Sequence, residues 1–519
     1  MSSGRLRRKR CAPCPTSMHD TLHRRDFLRR AIAGTAGLLL PGACSRAPQP
    51  GPVRPNVVLF VTDDQSWSSI GYASGGSVQT PHLDRLSARG VRFERAYANS
   101  MPCIPSRASM LTGLHHHRWP RGHRVSRKTG ETYETSVAEG SWTWASALRA
   151  AGYATALIGK MHLDPPKARL GFEQMQLCEL RAMGKDEYAR WLESHGVLEK
   201  VLATTAKSPL SFGVADWPLS ARQHRISWVR DRTIEFLDAQ RRQAQPFLLV
   251  VSFLAPHAPY DPIEPFASMY APDAQVLPTD RWQDLQAMPP TLAAMRRLLP
   301  RSNLPADLLR RALARYLGLV SQVDDSIGTI AGHIDLERTL VVFTSDHGDY
   351  LGRRDCLLKS PLVPFDAVAR VPMFACGAGV PEGLSYPHPV SLVDIAPTLL
   401  RAAAIDVPAD LDGRALQECF TATGAGPDRT TYCFGADGFD MITRGNVKYF
   451  QAHQGDEEML FDLAADPDEW SNVVADHDRR HDVAALRQAM AQVRRRPPST
   501  LPAFSLSALP RRRNRTTAA

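Results

Sequence analysis

The chain has 519 residues and no unbroken run of about 20 apolar ones, which excludes a multi-span membrane protein. Close-spaced cysteine pairs are missing from most of it. Of nine cysteines, only Cys103, Cys178, Cys356, Cys376, Cys419 and Cys433 lie beyond the first fifty residues. Their wide spacing argues against a zinc cluster or a disulfide knot, and five of the six read as small buried apolar side chains. Cys103, which opens an unusual motif, is the exception. A basic surplus is also missing from the body, although the net charge is +10. Residues 1–30 carry +7 and residues 494–515 another +7, so the remainder stands at −4. A nucleic-acid groove is therefore not expected on the folded part. What is present is ordinary globular composition, with 43% apolar and 22% charged residues, which excludes wholesale disorder. The length implies two domains, or one large α/β domain with an appendage.

Residues 24–44 read RRDFLRRAIAGTAGLLLPGAC. Arg24 and Arg25 precede Phe27 and Leu28, and a weakly apolar stretch runs from Ala31 to Leu40. That stretch is too short to stay in a membrane and suits an export signal. The arginine pair resembles a twin-arginine signal, which hands an already folded protein to the twin-arginine export machinery. Residues 1–47 are read as export signal and start of linker, and residues 48–54 as a Pro-rich linker. The expected location is the periplasm or cell envelope. Leu40-Pro41-Gly42-Ala43-Cys44 resembles a lipoprotein box with Pro41 where Leu is usual, so Cys44 is a candidate for a lipid anchor. Ser45-Arg46-Ala47 offers ordinary cleavage instead, and Met18 offers an alternative start that would leave out Cys11 and Cys14.

Four short apolar runs read as buried parallel strands: Asn56–Thr62, Tyr153–Gly159, Phe247–Phe253 and Thr339–Thr344. Each releases chemistry at its carboxyl end. In order these are Asp63-Asp64, Lys160-Met161-His162, Pro256-His257 and Ser345-Asp346-His347-Gly348. In open parallel sheets, ligands bind beyond those ends. Helical patterns lie between, at Pro81–Arg89, Ser141–Ala151, Ile226–Arg241 and Leu308–His333. The alternation implies an α/β fold, a large and mostly parallel sheet between helices. Residues 175–225 and 262–305 lack clear periodicity and read as insertions.

Past residue 425 the pattern changes. Thr430–Phe434, Met441–Arg444, Val447–Gln451 and Met459–Asp462 read as short strands, and Asp482–Val493 as a helix. Residues 55–425 are thus expected to form the main α/β domain and 426–493 a small antiparallel α+β subdomain. The Pro-, Ser- and Arg-rich segment 494–519 is expected to be a disordered basic tail.

Residues 103–113 read Cys-Ile-Pro-Ser-Arg-Ala-Ser-Met-Leu-Thr-Gly. Pro105 and Ser106 favour a helix start, which places Cys103 at an N-terminus where backbone N–H groups favour anions. Arg107 follows one turn later. This segment resembles the signature of the type I sulfatases of the alkaline phosphatase superfamily, in which the cysteine is oxidised to formylglycine (3-oxoalanine). The resemblance runs from about Pro55 to Val473. It includes Thr80-Pro81-His82-Leu83-Asp84-Arg85-Leu86, Gly159-Lys160-Met161-His162, Lys359, Ser391–Leu399 and Leu460-Phe461-Asp462-Leu463.

The resemblance implies an alkaline-phosphatase-like fold and a sulfuric ester hydrolase. It implies a divalent metal held by Asp63, Asp64, Cys103, Asp346 and His347. The carboxylates suit Ca²⁺, while the His347 imidazole also makes Mn²⁺ or Zn²⁺ credible. Arg107 and Lys160 are expected to neutralise the sulfuryl oxygens, and Lys359 and His257 to steady and protonate the leaving oxygen. His162 is expected to take a proton from the formylglycine hydrate. Lys160 and His162, two apart on an extended segment, would face the same way. His115-His116-His117 reads as a solvated loop. A formylglycine-generating enzyme is an implied partner. The substrate is a small-molecule or saccharide sulfate ester. Two other readings stand beside it: a phosphonate or phosphate ester hydrolase on the same scaffold, and a catalytically silent lipoprotein that binds sulfate or sulfated glycans.

Overall fold

The computed structural model describes residues 54–503, except 126–131, 135, 180–185, 207–212, 279–288, 291, 293–303, 357, 360–362, 421–428, 436–437 and 454–455. The expectations for residues 1–53, including the export signal and Cys44, lie outside the described residues.

Strands β1 (Asn56–Asp63) and β2 (Gly90–Tyr97) precede a two-stranded ribbon, β3 (His123–Val125) and β4 (Thr132–Glu134). Then come β5 (Ala154–Gly159), β6 (Gln174–Leu177), β7 (Phe247–Pro256), β8 (Thr339–Ser345), β9 (Arg370–Val371), β10 (Met373–Gly377) and β11 (Leu384–Ser391). Apart from the ribbon they form one nine-stranded sheet, ordered β11-β2-β10-β8-β1-β7-β5-β6 with β9 beside β2. The four strands expected from the sequence are its four contiguous central members, β8-β1-β7-β5, all parallel. Strand β10 runs antiparallel to both of its neighbours, so the sheet is mixed and mostly parallel.

Helices α1 (Pro81–Ala88), α2 (Cys103–Thr112) and α3 (Trp144–Ala150) lie among the early strands, and α4 (Glu187–Ser194), α5 (Leu198–Ala206) and α6 (Arg225–Gln240) follow one another between β6 and β7. They are followed by α7 (Ala306–Ala331), α8 (Asp366–Ala369), α9 (Ile395–Ala402) and α10 (Arg480–Arg494). Side chains alternate across a strand, so β1 serves two cores. Val57, Leu59 and Val61 pack with Trp144 and Leu148 of α3 and Leu399 of α9. Val58 and Phe60 pack with Val229 of α6 and Val323 and Ile327 of α7. Each such buried side chain contributes roughly 1.5–3 kcal/mol relative to exposure. This explains the unbroken apolar runs: a strand covered on both faces has no polar side to show. The region 175–225, which lacked periodicity, nonetheless holds α4 and α5.

A second, four-stranded antiparallel sheet follows: β12 (Thr430–Cys433), β13 (Phe439–Arg444), β14 (Val447–Ala452) and β15 (Glu458–Asp462). One face packs Ile442, Tyr449 and Leu460 against Leu486 and Met490 of α10. The other packs Met441, Phe450 and Phe461 against Tyr97, Phe365 and Val368 of the main body. The disordered-tail expectation does not hold for residues 494–503. Arg494 closes α10 and donates from Nε to Asp440 Oδ2 at 2.7 Å, and Leu501 packs on the main core. Arg496 pairs with Asp412, and Ser499 N donates to Arg118 O at 2.9 Å. Carboxylates of the body thus neutralise two of the arginines that composition alone assigned to a free basic tail. Residues 504–519 lie outside the described residues.

Candidate active site

Parallel strands in register end at one edge, and β1 and β8 are paired from Asn56↔Thr339 to Thr62↔Ser345. Asp63, Asp64, Asp346 and His347 therefore leave the sheet side by side. Asp64 adopts a left-handed backbone, φ 67°, which aspartate tolerates better than most residues. The phenol of Tyr316 on α7 donates to Asp64 O at 2.8 Å and holds that turn.

Helix α2 starts at Cys103 itself, with Pro102 as its cap residue. The Cys103 Sγ lies 3.5 Å from Asp63 Oδ1 and 3.2 Å from His347 Nε2. Ligand atoms of Asp63, Asp64, Cys103 and His347 all lie within 4.8 Å of one another, and all four residues are buried. Asp64 Oδ2 is a buried oxygen without a hydrogen-bond partner. This donor set fits a divalent cation. Asp346 stands beside the group rather than in it. Its Oδ2 accepts from Arg107 Nε at 2.7 Å, and its Oδ1 accepts from His347 N at 2.9 Å and Asp64 N at 3.4 Å.

Arg107 also donates from Nη1 to Lys160 O at 3.0 Å and to Ser252 Oγ at 2.9 Å, while its Nη2 is buried without a partner. Lys160 Nζ pairs with Asp63 Oδ2, and Lys359 Nζ pairs with Asp64 Oδ1 at 2.9 Å. His257 donates its N–H to Asp63 O at 3.0 Å, and its Nε2 lies 3.7 Å from Asp64 Oδ2. Gly159, which delivers Lys160, has φ 109°, and a Cβ there would meet Ser252 O at 1.8 Å. Only glycine fits this crossing.

The expected extended path to His162 needs correction. The segment after Gly159 is not extended: His162 has φ 51°. Lys160 and His162 therefore do not share a face by simple strand alternation. The N–H groups of Met161 and His162 converge instead on Glu179, a residue the sequence reading did not single out. Ser252, Tyr316 and Glu179 were invisible because no local motif marks them. Their partners arrive from distant strands and helices.

The electrostatics follow from burial among cations. Burial and Asp63 push the Cys103 thiol up, but Lys160, Lys359 and His347 outweigh them and bring it down to about 6. Burial opposes the charge on Asp63, yet Lys160 and His257 hold it well below the usual carboxylate range. Burial, then Lys160 and Arg107, bring His162 down to about 4, so its imidazole is neutral at pH 7. Burial likewise lowers His257. Burial opposes the charge on Lys359, but Asp64 and Cys103 hold it well above its ordinary value.

The three consecutive histidines are not a solvated loop. His116 stacks on Phe434 with ring centroids 3.3 Å apart, and His117 Nε2 lies 3.0 Å from Val493 O. His115 is buried and donates its N–H to Asp412. The α10 end and β12 cover this tract, which long-range contact alone could reveal.

A family model described as Sulfatase matches residues 55–405. An arylsulfatase of Clostridium perfringens is 28% identical over 470 residues, covering 84% of this chain and 94% of the relative. A choline-sulfatase of Rhizobium meliloti is 28% identical over 455 residues, covering 81% and 82%. Among solved structures, a phosphonate monoester hydrolase from Silicibacter pomeroyi superposes with a TM-score of 0.70 at 22% identity. It covers 85% of this chain and 95% of its own. That likeness is one of fold.

Proposed function

Because the chain belongs to the sulfatase family of the alkaline phosphatase superfamily, we propose that it hydrolyses an O-sulfate ester with Cys103 as the source of its nucleophile. The observation that carries this reading is the Cys103 thiol set against Asp63 and His347 at the start of α2, with Arg107 one turn behind. Oxidised to formylglycine by a separate enzyme, Cys103 would supply a hydrated aldehyde: one hydroxyl to attack sulfur, a second whose deprotonation expels sulfate. Asp63, Asp64 and His347, with Asp346 adjoining, would hold a divalent cation that lowers the pKa of that hydroxyl and offsets charge on the sulfuryl group. Ca²⁺ is the first expectation, and the imidazole admits Mn²⁺ or Zn²⁺.

The remaining roles belong to side chains already in place. Arg107 and Lys160 bring fixed positive charge to the nucleophile, where it needs no reorganisation as negative charge develops. Lys359, kept protonated by Asp64, and His257 are the donors available to the departing alcohol oxygen. His162, neutral at pH 7, is the base for the second proton. Substrate recognition would rest on the sulfate group first, and the alcohol is a small molecule or a saccharide. Arg24-Arg25 supports export of the folded, modified protein to the periplasm or cell envelope, with Cys44 a candidate lipid site.

The test is a mass measurement on the tryptic peptide that contains Cys103, taken from protein purified from its own cell envelope. It is paired with turnover of nitrophenyl sulfate and the matching phosphate and phenylphosphonate esters. An aldehyde mass with preference for the sulfate is expected. A plain thiol in active protein overturns the formylglycine chemistry, and preference for the phosphonate ester points to the other hydrolase activity on this scaffold.

A further inference from the structure

The strand that delivers Lys160 does not simply run on to His162. Gly159 leaves β5 at φ 109°, and His162 then turns left-handed at φ 51°. The three side chains part ways here. Lys160 goes to Asp63, Met161 goes into the core beneath the sheet, and His162 stays half-buried. A left-handed histidine is uncommon and persists only where its surroundings enforce it.

One carboxylate oxygen enforces it. Glu179 Oε1 accepts from Met161 N at 2.9 Å and from His162 N at 2.6 Å. Two consecutive N–H groups can converge on one acceptor only when the backbone between them is curled, as in an anion-binding nest. The negative charge shortens and strengthens both bonds. Glu179 is itself held. Its N–H donates to Asp186 Oδ2 at 2.6 Å, and Asp186 Oδ1 accepts from Ala189 N at 2.7 Å as the N-cap of α4. A capped helix thus fixes a glutamate, and the glutamate fixes the turn between two active-site side chains.

We propose that Glu179 is a positioning residue for catalysis, acting through the backbone of Met161 and His162 to aim the His162 imidazole. This rests on the reading of His162 as the base in sulfate-ester hydrolysis. Glu179 touches no reacting atom. Its carboxylate sets where the neighbouring imidazole points, and it does so with an acceptor oxygen at a particular reach.

The experiment compares turnover of nitrophenyl sulfate by the wild type, Glu179→Gln, Glu179→Asp, Glu179→Met, His162→Ala and the double variant Glu179→Met/His162→Ala. Rates are expressed per mole of metal- and aldehyde-loaded enzyme. Glu179→Met is expected to lower kcat about 10- to 100-fold with KM changed less than about threefold, as a misaimed catalytic group does. Glu179→Gln keeps an acceptor oxygen and should stay within about fivefold of wild type. Glu179→Asp keeps the charge but withdraws the oxygen by one methylene, and should fall toward Glu179→Met. It carries the test if the methionine variant fails to fold. The double variant should be no slower than His162→Ala alone, because a positioning effect has nothing left to aim. Wild-type kcat in Glu179→Asp, or losses that multiply in the double variant, would overturn the proposal. Wild-type turnover by His162→Ala would instead overturn the reading of His162 on which it stands.

Discussion

Arg107 Nε donates to Asp346 Oδ2 at 2.7 Å, and both side chains are almost wholly buried. The contact spans 239 residues and joins the helix that presents Cys103 to the end of β8. It ties the start of α2, where Cys103 stands, to the carboxylate at the end of β8. It also explains why Asp346 is not wholly free as a ligand: one of its oxygens is committed to the guanidinium.

Removing Arg107 should therefore damage both stability and turnover. Arg107→Met leaves the Asp346 carboxyl, which burial already pushes up, without its cation, and breaking a buried pair in this way costs about 3–5 kcal/mol. Loss of one electrostatic stabiliser should lower kcat by about 10² or more. Urea unfolding and steady-state kinetics on the same preparation check the two effects separately.

Chelation should destabilise the protein as well as inactivate it. Asp63 and Asp64 are buried carboxylates at a site suited to a divalent cation. A cation present at about 100 times its Kd adds about 2.7 kcal/mol. Thermal unfolding after dialysis against a chelator should show a lower midpoint, restored by one of Ca²⁺, Mn²⁺ or Zn²⁺. Asp64→Asn should abolish that response, and an unchanged midpoint in the wild type would speak against the site.

A second buried ion pair lies away from this cluster. Arg225 Nη1 donates to Asp261 Oδ2 at 2.9 Å. Burial opposes the charge on Asp261, but Arg225, with His224 Nε2 3.6 Å from the same carboxylate, outweighs it and brings its pKa down to about 2. A depressed carboxylate stabilises the fold above its unfolded pKa, near 4, and loses that contribution as pH falls through about 2. The amount is about 2–3 kcal/mol. Wild-type stability should fall more steeply than that of Asp261→Asn between about pH 4 and pH 2, measured by denaturant midpoints.

The strap after α10 should be dispensable for chemistry but not for stability. Arg118 donates from Nε to Pro497 O at 2.9 Å, and Arg496 and Ser499 pair with Asp412 and Asp410. Truncation after Arg495 removes these bonds and should cost about 1–3 kcal/mol. Because Arg118 keeps its own contacts to Asp410 and Asp412, kcat should change by less than about twofold. Differential scanning calorimetry and kinetics on the truncated chain test this.

The central strands, most of the helices and nearly every candidate site residue could be read from the sequence alone, because each is a local signal. A strand buried on both faces must be apolar throughout, and the chemistry-bearing residues sit where such runs stop. The Cys103–Gly113 segment is equally local: proline and serine at a helix start, a cysteine before them, an arginine one turn on. Strands β12–β15 were legible for the same reason, within a few residues at their ends.

Only the tertiary structure decided how those residues are used. Parallel crossovers bring Asp63, Cys103 and His347 together across gaps of 40 and 244 residues, and no local pattern encodes that meeting. Asp346 turned out to be shared with Arg107, the three histidines were covered by the small sheet and α10, and Arg496 was neutralised by the body. His162 was bent out of the extended path by Glu179. The physical reason is common to all four. A side chain's local propensity is set by its own neighbours in sequence. The partner that satisfies its charge or its hydrogen bonds once buried is chosen by whatever the fold packs beside it.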